Sequence, residues 1–129
     1  MTPDELRTRA TDCMHALFDN DWQTADRYFH PDANWWIIGQ GTMPHARIRE
    51  IATQLEGGHT YAKLTILNTV AEGNTVSVEA VGDMTLRDGR KYCNTYHHLI
   101  HFRDGKIIEF REYLDTHYLR EVFGEQIYD

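Results

Sequence analysis

The side chains best suited to chemistry fall in two neighbouring runs. Asn94, Tyr96 and His98 alternate along Lys91 to Arg103, and Glu112 lies in the following run, Lys106 to Asp115. Alternate residues of a strand share a face, so the first three point one way. Whether Glu112 joins them depends on the turn at Arg103-Asp104-Gly105-Lys106. A two-residue turn pairs Phe102 with Ile107, whereas a three-residue turn with Gly105 in the left-handed conformation pairs Phe102 with Lys106. The second register puts Tyr92, Asn94, Tyr96, His98, Ile100, Phe102, Ile108, Phe110, Glu112 and Leu114 together, the better inner face. It predicts Tyr96 directly opposite Glu112, with Asn94 and His98 on the diagonals.

A carboxylate buried among apolar side chains loses hydration, which favours its protonated form, and a nearby imidazole or phenol can donate to an oxyanion. Enolisation and aldol-type chemistry need that pairing. The alternative is that Glu112 and His98 satisfy each other as core polar groups. The remaining histidines carry less. HxH and HExxH are absent among the eight, and the neighbours His97 and His98 point to opposite faces of a strand, so no metal site is expected. His97 and His101 share the outer face, and His15, His45 and His59 read as packed or solvated. Asp115 reads as a helix N-cap rather than a catalyst.

Two types of element must position these groups. From Pro3 to about Asn20, Leu6, Ala10, Cys13, Met14, Leu17 and Phe18 recur at helical spacing behind Thr2 as N-cap. Asp21 can cap a short helix carrying Trp22, Ala25, Tyr28 and Phe29. Trp35 to Ile38 reads as a strand closed by Gly39-Gln40-Gly41, and Pro44 to Glu56 as a helix stopped by Gly57-Gly58. The period then changes to two: Tyr61 to Glu72, Thr75 to Arg87, Lys91 to Arg103 and Lys106 to Asp115 form an antiparallel meander. Asp115 or Thr116 can cap a last helix through Phe123. Helices first and sheet second predicts an α+β fold with helices covering one face of a curved sheet.

The 129 residues fit a single domain, 1–129, without repeat or linker. A net charge of -7 opposes the phosphate contacts behind most nucleic-acid binding, so neither nucleic acid nor an anionic membrane is an expected partner. No run is apolar enough to span a bilayer, and MTPDELRTRA lacks an export-type apolar core. Cys13 and Cys93 are too few for a disulfide framework, and reduced thiols point to the cytoplasm.

The stretch Asp88-Gly89-Arg90-Lys91-Tyr92-Cys93-Asn94-Thr95-Tyr96, with Arg103-Asp104-Gly105-Lys106-Ile107 and Arg111-Glu112-Tyr113-Leu114-Asp115, closely resembles the end of SnoaL-like proteins. These belong to the superfamily of nuclear transport factor 2, ketosteroid isomerase, limonene epoxide hydrolase and scytalone dehydratase. Phe29-His30-Pro31-Asp32-Ala33-Asn34-Trp35-Trp36 and Ile48-Arg49-Glu50-Ile51 extend the resemblance over most of the chain. It implies a cone-shaped α+β barrel, its curved antiparallel sheet wrapped around the N-terminal helices, whose open end admits a small molecule, commonly in a homodimer. Glu112 matches an acidic catalytic position of limonene epoxide hydrolase and phenazine-biosynthesis relatives, and His98 lies close to the oxyanion-hole acid of ketosteroid isomerase. The epoxide hydrolases' Arg and Asp are replaced by Glu79 and Val81, and the isomerase's base by a position near Ile37, so neither named activity is carried over.

The resemblance also prefers Trp35 with Ile37 toward the pocket, with Trp36 outside, and turns Glu79, Val81 and Asp83 inward. Alternation instead buries Val76, Val78, Ala80, Gly82, Met84 and Leu86; a bulge near Gly82 would reconcile the two. The expected function is that of a cofactor-free enzyme acting on a hydrophobic carbonyl compound by isomerisation, cyclisation or dehydration. Glu112 and His98 would be catalytic; Tyr96, Asn94, Trp35, Ile37, Phe110, Leu114, Glu79 and Asp83 would bind the substrate. The alternative is a binding or accessory protein with the same pocket. A homodimer through the outer sheet face is expected, with Arg111 and Tyr113 on that face.

Overall fold

The computed structural model describes residues 1–56, 59–125 and 127. Helix α1, Pro3–Phe18, begins at Thr2, whose Oγ1 accepts from the Glu5 amide at 3.1 Å, and buries Leu6, Ala10, Cys13 and Met14 along one side. Asp21 caps the short helix α2, Trp22–Asp26, by accepting from the Thr24 amide. α2 stops short of the expected Phe29 because strand β1, Phe29–Ile37, starts there. β1 runs through Pro31, which has no amide to give a ladder; its register with its neighbour shifts between Phe29 and Asn34, so Pro31 pairs with nothing. A second strand absent from the sequence reading, β2 (Gly41–Pro44), folds back on β1 ahead of helix α3, His45–Glu56. The expected glycine stop at Gly57-Gly58 lies outside the described residues.

The meander follows as β3 (His59–Glu72), β4 (Thr75–Leu86), β5 (Lys91–Tyr92), β6 (Thr95–Arg103) and β7 (Lys106–Leu114). Asp115 caps the closing helix α4, Thr116–Phe123, accepting from the Tyr118 amide at 3.1 Å, the role expected of it. The strands lie in the order β2-β1-β7-β6-β4-β3, with β5 on β4. The sheet is mixed rather than wholly antiparallel, because β1 lies parallel to β7. The two are separated by α3 and the whole meander, so no hairpin turn forces opposite directions on them. The α+β cone otherwise stands as expected, with α1 packed against β3 and β4 on the inner face.

The β6–β7 turn differs from the preferred register. Asp104 and Gly105 both take positive φ, 51° and 77°, forming a two-residue turn that pairs Arg103 with Lys106 and Phe102 with Ile107. Such a turn alone would bring Phe110, Glu112 and Leu114 to the wrong face. A bulge corrects the parity: His101 pairs with Glu109, so Ile108 is an extra residue. Ile107, not Ile108, is therefore the fully buried one, and Glu112 lies opposite His98 rather than Tyr96.

No bulge occurs at Gly82, where β4 keeps register with β3 through Leu64↔Gly82 and Lys63↔Asp83. The irregularities sit on β3 instead, between His59 and Tyr61 and between Ile66 and Asn68. Val76, Val78, Ala80, Gly82, Met84 and Leu86 are consequently all buried. Gly82 allows α1 close: a Cβ there would lie 2.5 Å from Phe18 Cζ.

Candidate functional site

The inner face of the sheet and the facing sides of α1, α3 and α4 line an open cavity of about 180 Å³. Met14, Leu17 and Phe18 come from α1, Ile48, Ile51 and Ala52 from α3, and Leu119 and Phe123 from α4. Trp22, Trp35, Ile37, Phe110 and Leu114 extend the apolar wall, with Leu64, Met84 and Ile127. Polar groups reach it from the sheet alone: Tyr92, Tyr96, His98 and Glu112. Glu112 is the one charged side chain among the described lining residues.

His98 and Glu112 face each other because β6 and β7 pair them directly, and Ile37 of β1 lies beside Glu112 on the other side. His98 is 6% exposed and the Glu112 side chain 15%; His98 Nε2 lies 3.9 Å from Glu112 Oε1, too far for a hydrogen bond. The imidazole is held by its neighbours, with Tyr96 stacked at 5.8 Å and Phe110 at 4.6 Å between ring centres. Its Nδ1 is buried and meets no hydrogen-bond partner. An unpaired buried N–H costs more than an unpaired lone pair, so the proton belongs on Nε2, the nitrogen that faces Glu112.

Tyr92, the polar group that sequence reasoning left out, accepts from Asn94 Nδ2 at 2.8 Å. Burial pushes its phenol well above the usual tyrosine range, and hydrogen bonds with Asn94 and Tyr96 oppose that in part. Its parity with Tyr96 and His98 was the available signal. Asn94, by contrast, lies outside the cavity wall, although expected to orient the substrate. It is 2% exposed; Nδ2 also donates to the Asp115 carbonyl, and Oδ1 accepts from the Thr95 and Asp115 amides. Those bonds replace the ladder where β5 breaks from β6, and they anchor the start of α4.

Glu79 and Asp83 do not line the cavity either. Unbroken alternation along β4 puts both on the outer face, exposed, where Lys91 and Cys93 hold the Asp83 carboxyl below the usual range. Trp35 and Ile37 do line the cavity, and Trp36 lies outside under the Arg111 guanidinium at 4.0 Å, with Tyr113 at 5.0 Å. Trp35 is held from behind: its indole N–H donates to His45 Nδ1 at 2.9 Å, and His45 Nε2 meets Asp26 at 2.7 Å. His45 is thus a packed histidine, stacked on Phe29. Among the described residues no three His, Cys, Asp or Glu side chains converge to hold a metal ion.

The fold recurs in solved structures. AclR from Streptomyces galilaeus superposes with a TM-score of 0.81 at 14% identity, covering 95% of this chain and 87% of the other. An NTF2-like protein from Burkholderia pseudomallei gives 0.77 at 16%, covering 97% and 100%. An M. tuberculosis LEH-like epoxide hydrolase gives 0.75 at 17%, covering 94% and 90%. At such identities the likeness shows the fold alone. No protein of curated function matches the sequence. The model of the SnoaL-like domain matches residues 10–110. With that match the chain belongs to the SnoaL-like domain family, and its cone-shaped sheet has the fold of the NTF2-like structures.

Proposed function

We propose that the protein is a cofactor-independent enzyme that moves a proton on a hydrophobic carbonyl compound, in an isomerisation, cyclisation or dehydration. The observation that carries this reading is the His98–Glu112 pair, a donor and a carboxylate facing each other across 3.9 Å in an apolar cavity. Glu112 would take the proton α to the carbonyl, and His98 Nε2–H would stabilise charge developing on the carbonyl oxygen. Tyr96 would orient the substrate, with Trp35, Ile37, Phe110 and Leu114 packed against its rings. The pair is largely withdrawn from solvent, with side-chain exposures of 7% and 15%, which strengthens each electrostatic interaction there.

The test is deuterium exchange from D₂O into a panel of cyclic ketones, followed by NMR. Wild type should exchange the α-protons well above the buffer rate, and Glu112→Gln should lose at least a hundredfold of that rate, the scale of one general base. Exchange at the buffer rate by a wild type that binds those ketones would leave a binding or accessory protein with the same cavity. Among the described residues no helix is long and apolar enough to cross a membrane. Two free thiols, Cys93 exposed, support a reducing compartment such as the cytoplasm. A homodimer through the outer face draws support from Trp36, Leu99 and Val70 there, Val70 being 57% exposed.

A further inference from the structure

The cavity's polar end carries a chemical requirement more specific than carbonyl binding, and the inference drawn from it rests on the reading above. His98 presents Nε2–H, because its Nδ1 has no partner. Glu112 presents a carboxylate oxygen 3.9 Å away. An oxygen placed about 2.8 Å from each, ordinary hydrogen-bond length, is geometrically allowed between them. That oxygen must accept from the imidazole and donate to the carboxylate. A hydroxyl does both. A ligand carboxylate only accepts and meets Glu112 as a like charge, with no Lys or Arg among the described lining residues to offset it. A protonated amine only donates and leaves the imidazole N–H unpaired. A plain hydrocarbon leaves both groups dry and unmatched.

Size narrows the class further. At about 180 Å³ the cavity slightly exceeds the roughly 150 Å³ that accommodates a benzene ring, so it suits one ring or two compact fused rings. We infer that the site recognises an uncharged one- or two-ring compound through a hydroxyl seated between His98 Nε2 and Glu112 Oε1, and that it rejects carboxylates. For an enolisable substrate this is the enol oxygen, so the site would hold the enol in preference to the ketone. Phenols, whose hydroxyl is fixed on a flat ring, present the same donor and acceptor without reacting.

Isothermal titration calorimetry with 2-naphthol, naphthalene and 2-naphthoate, delivered in matched cosolvent, tests the inference. The expected order is 2-naphthol at least tenfold tighter than naphthalene, and 2-naphthoate at least tenfold weaker than 2-naphthol. In Glu112→Gln the naphthol advantage should shrink to under threefold and naphthoate binding should strengthen, while naphthalene affinity stays within twofold, a readout that also reports intact folding of the cavity. Naphthoate binding within threefold of naphthol, or a hydroxyl that adds nothing to naphthalene, would overturn the inference and leave the exchange assay to judge the enzyme reading by itself. Failure of all three probes to bind at millimolar concentration would overturn both this inference and the small-molecule pocket beneath it.

Discussion

Replacing Asn94 by alanine separates a clamp from a ligand contact. The side chain makes four hydrogen bonds: from Nδ2 to Tyr92 and the Asp115 carbonyl, and to Oδ1 from the Thr95 and Asp115 amides. Truncation strands three backbone groups at a position only 2% exposed and leaves Tyr92 without its donor. An unmade hydrogen bond in such a place costs about 1–3 kcal/mol, and water entering the space left behind recovers part of it, so about 3–5 kcal/mol of folding stability should be lost. Against a typical total of about 5–15 kcal/mol that is a large share, equivalent to a fall of about 11–18 °C in Tm. Urea denaturation followed by circular dichroism reads it directly. Asn94→Asp keeps the two acceptor bonds, loses the donations, and should fall between alanine and wild type. A loss under about 1 kcal/mol for the alanine variant, with unchanged denaturant dependence, would refute the clamp and return Asn94 to the ligand.

Two further outcomes follow from packing and burial. Gly82→Ala sets a Cβ 2.5 Å from Phe18 Cζ and should cost about 1–3 kcal/mol by overpacking, a cost that Phe18→Leu should relieve; additive losses in the double mutant would refute the contact. Burial holds the Cys13 thiol and the Tyr92 phenol above their ordinary values of 9.0 and 10.0. The unfolded chain therefore releases those protons first, and stability should fall with rising pH, from about pH 9 for Cys13 and pH 10 for Tyr92, by about 1.4 kcal/mol per pH unit per group. Denaturation curves between pH 8 and 11 should show a shallower decline in Cys13→Ala, and parallel declines would contradict the assignment.

Local patterns in the sequence were enough for the elements whose causes are local. Thr2-Pro3, Asp21 and Asp115 marked helix starts that the structure keeps, and period-two alternation sorted the buried residues of β4 from Glu79 and Asp83 more reliably than the family likeness did. What stayed hidden was long-range or compensatory. The parallel pairing of β1 with β7 depends on the whole meander between them. The β6–β7 hairpin combines a two-residue turn with a bulge at Ile108, two departures that cancel in parity, exchange Ile108 for Ile107 on the inner face and leave Phe110, Glu112 and Leu114 there as expected, while moving Glu112 from Tyr96 to His98. Tyr92 lines the cavity and Asn94 does not for a related reason: periodicity reports which face a side chain takes, not whether backbone amides nearby have already claimed it.

The pairing of β1 with β7 also has a consequence in time. Ile37 and Glu112 are neighbours in the sheet yet come from strands near opposite ends of the chain, so their contact closes one of the longest loops in the molecule. Hairpins β3–β4 and β6–β7 close short loops and can form first; the β1 edge must wait until that entropy has been spent. The cavity wall that carries Trp35 and Ile37 is therefore expected to form after both hairpins. Until then the carboxylate of Glu112 stays hydrated, and the chemistry proposed for it has no dry place to occur.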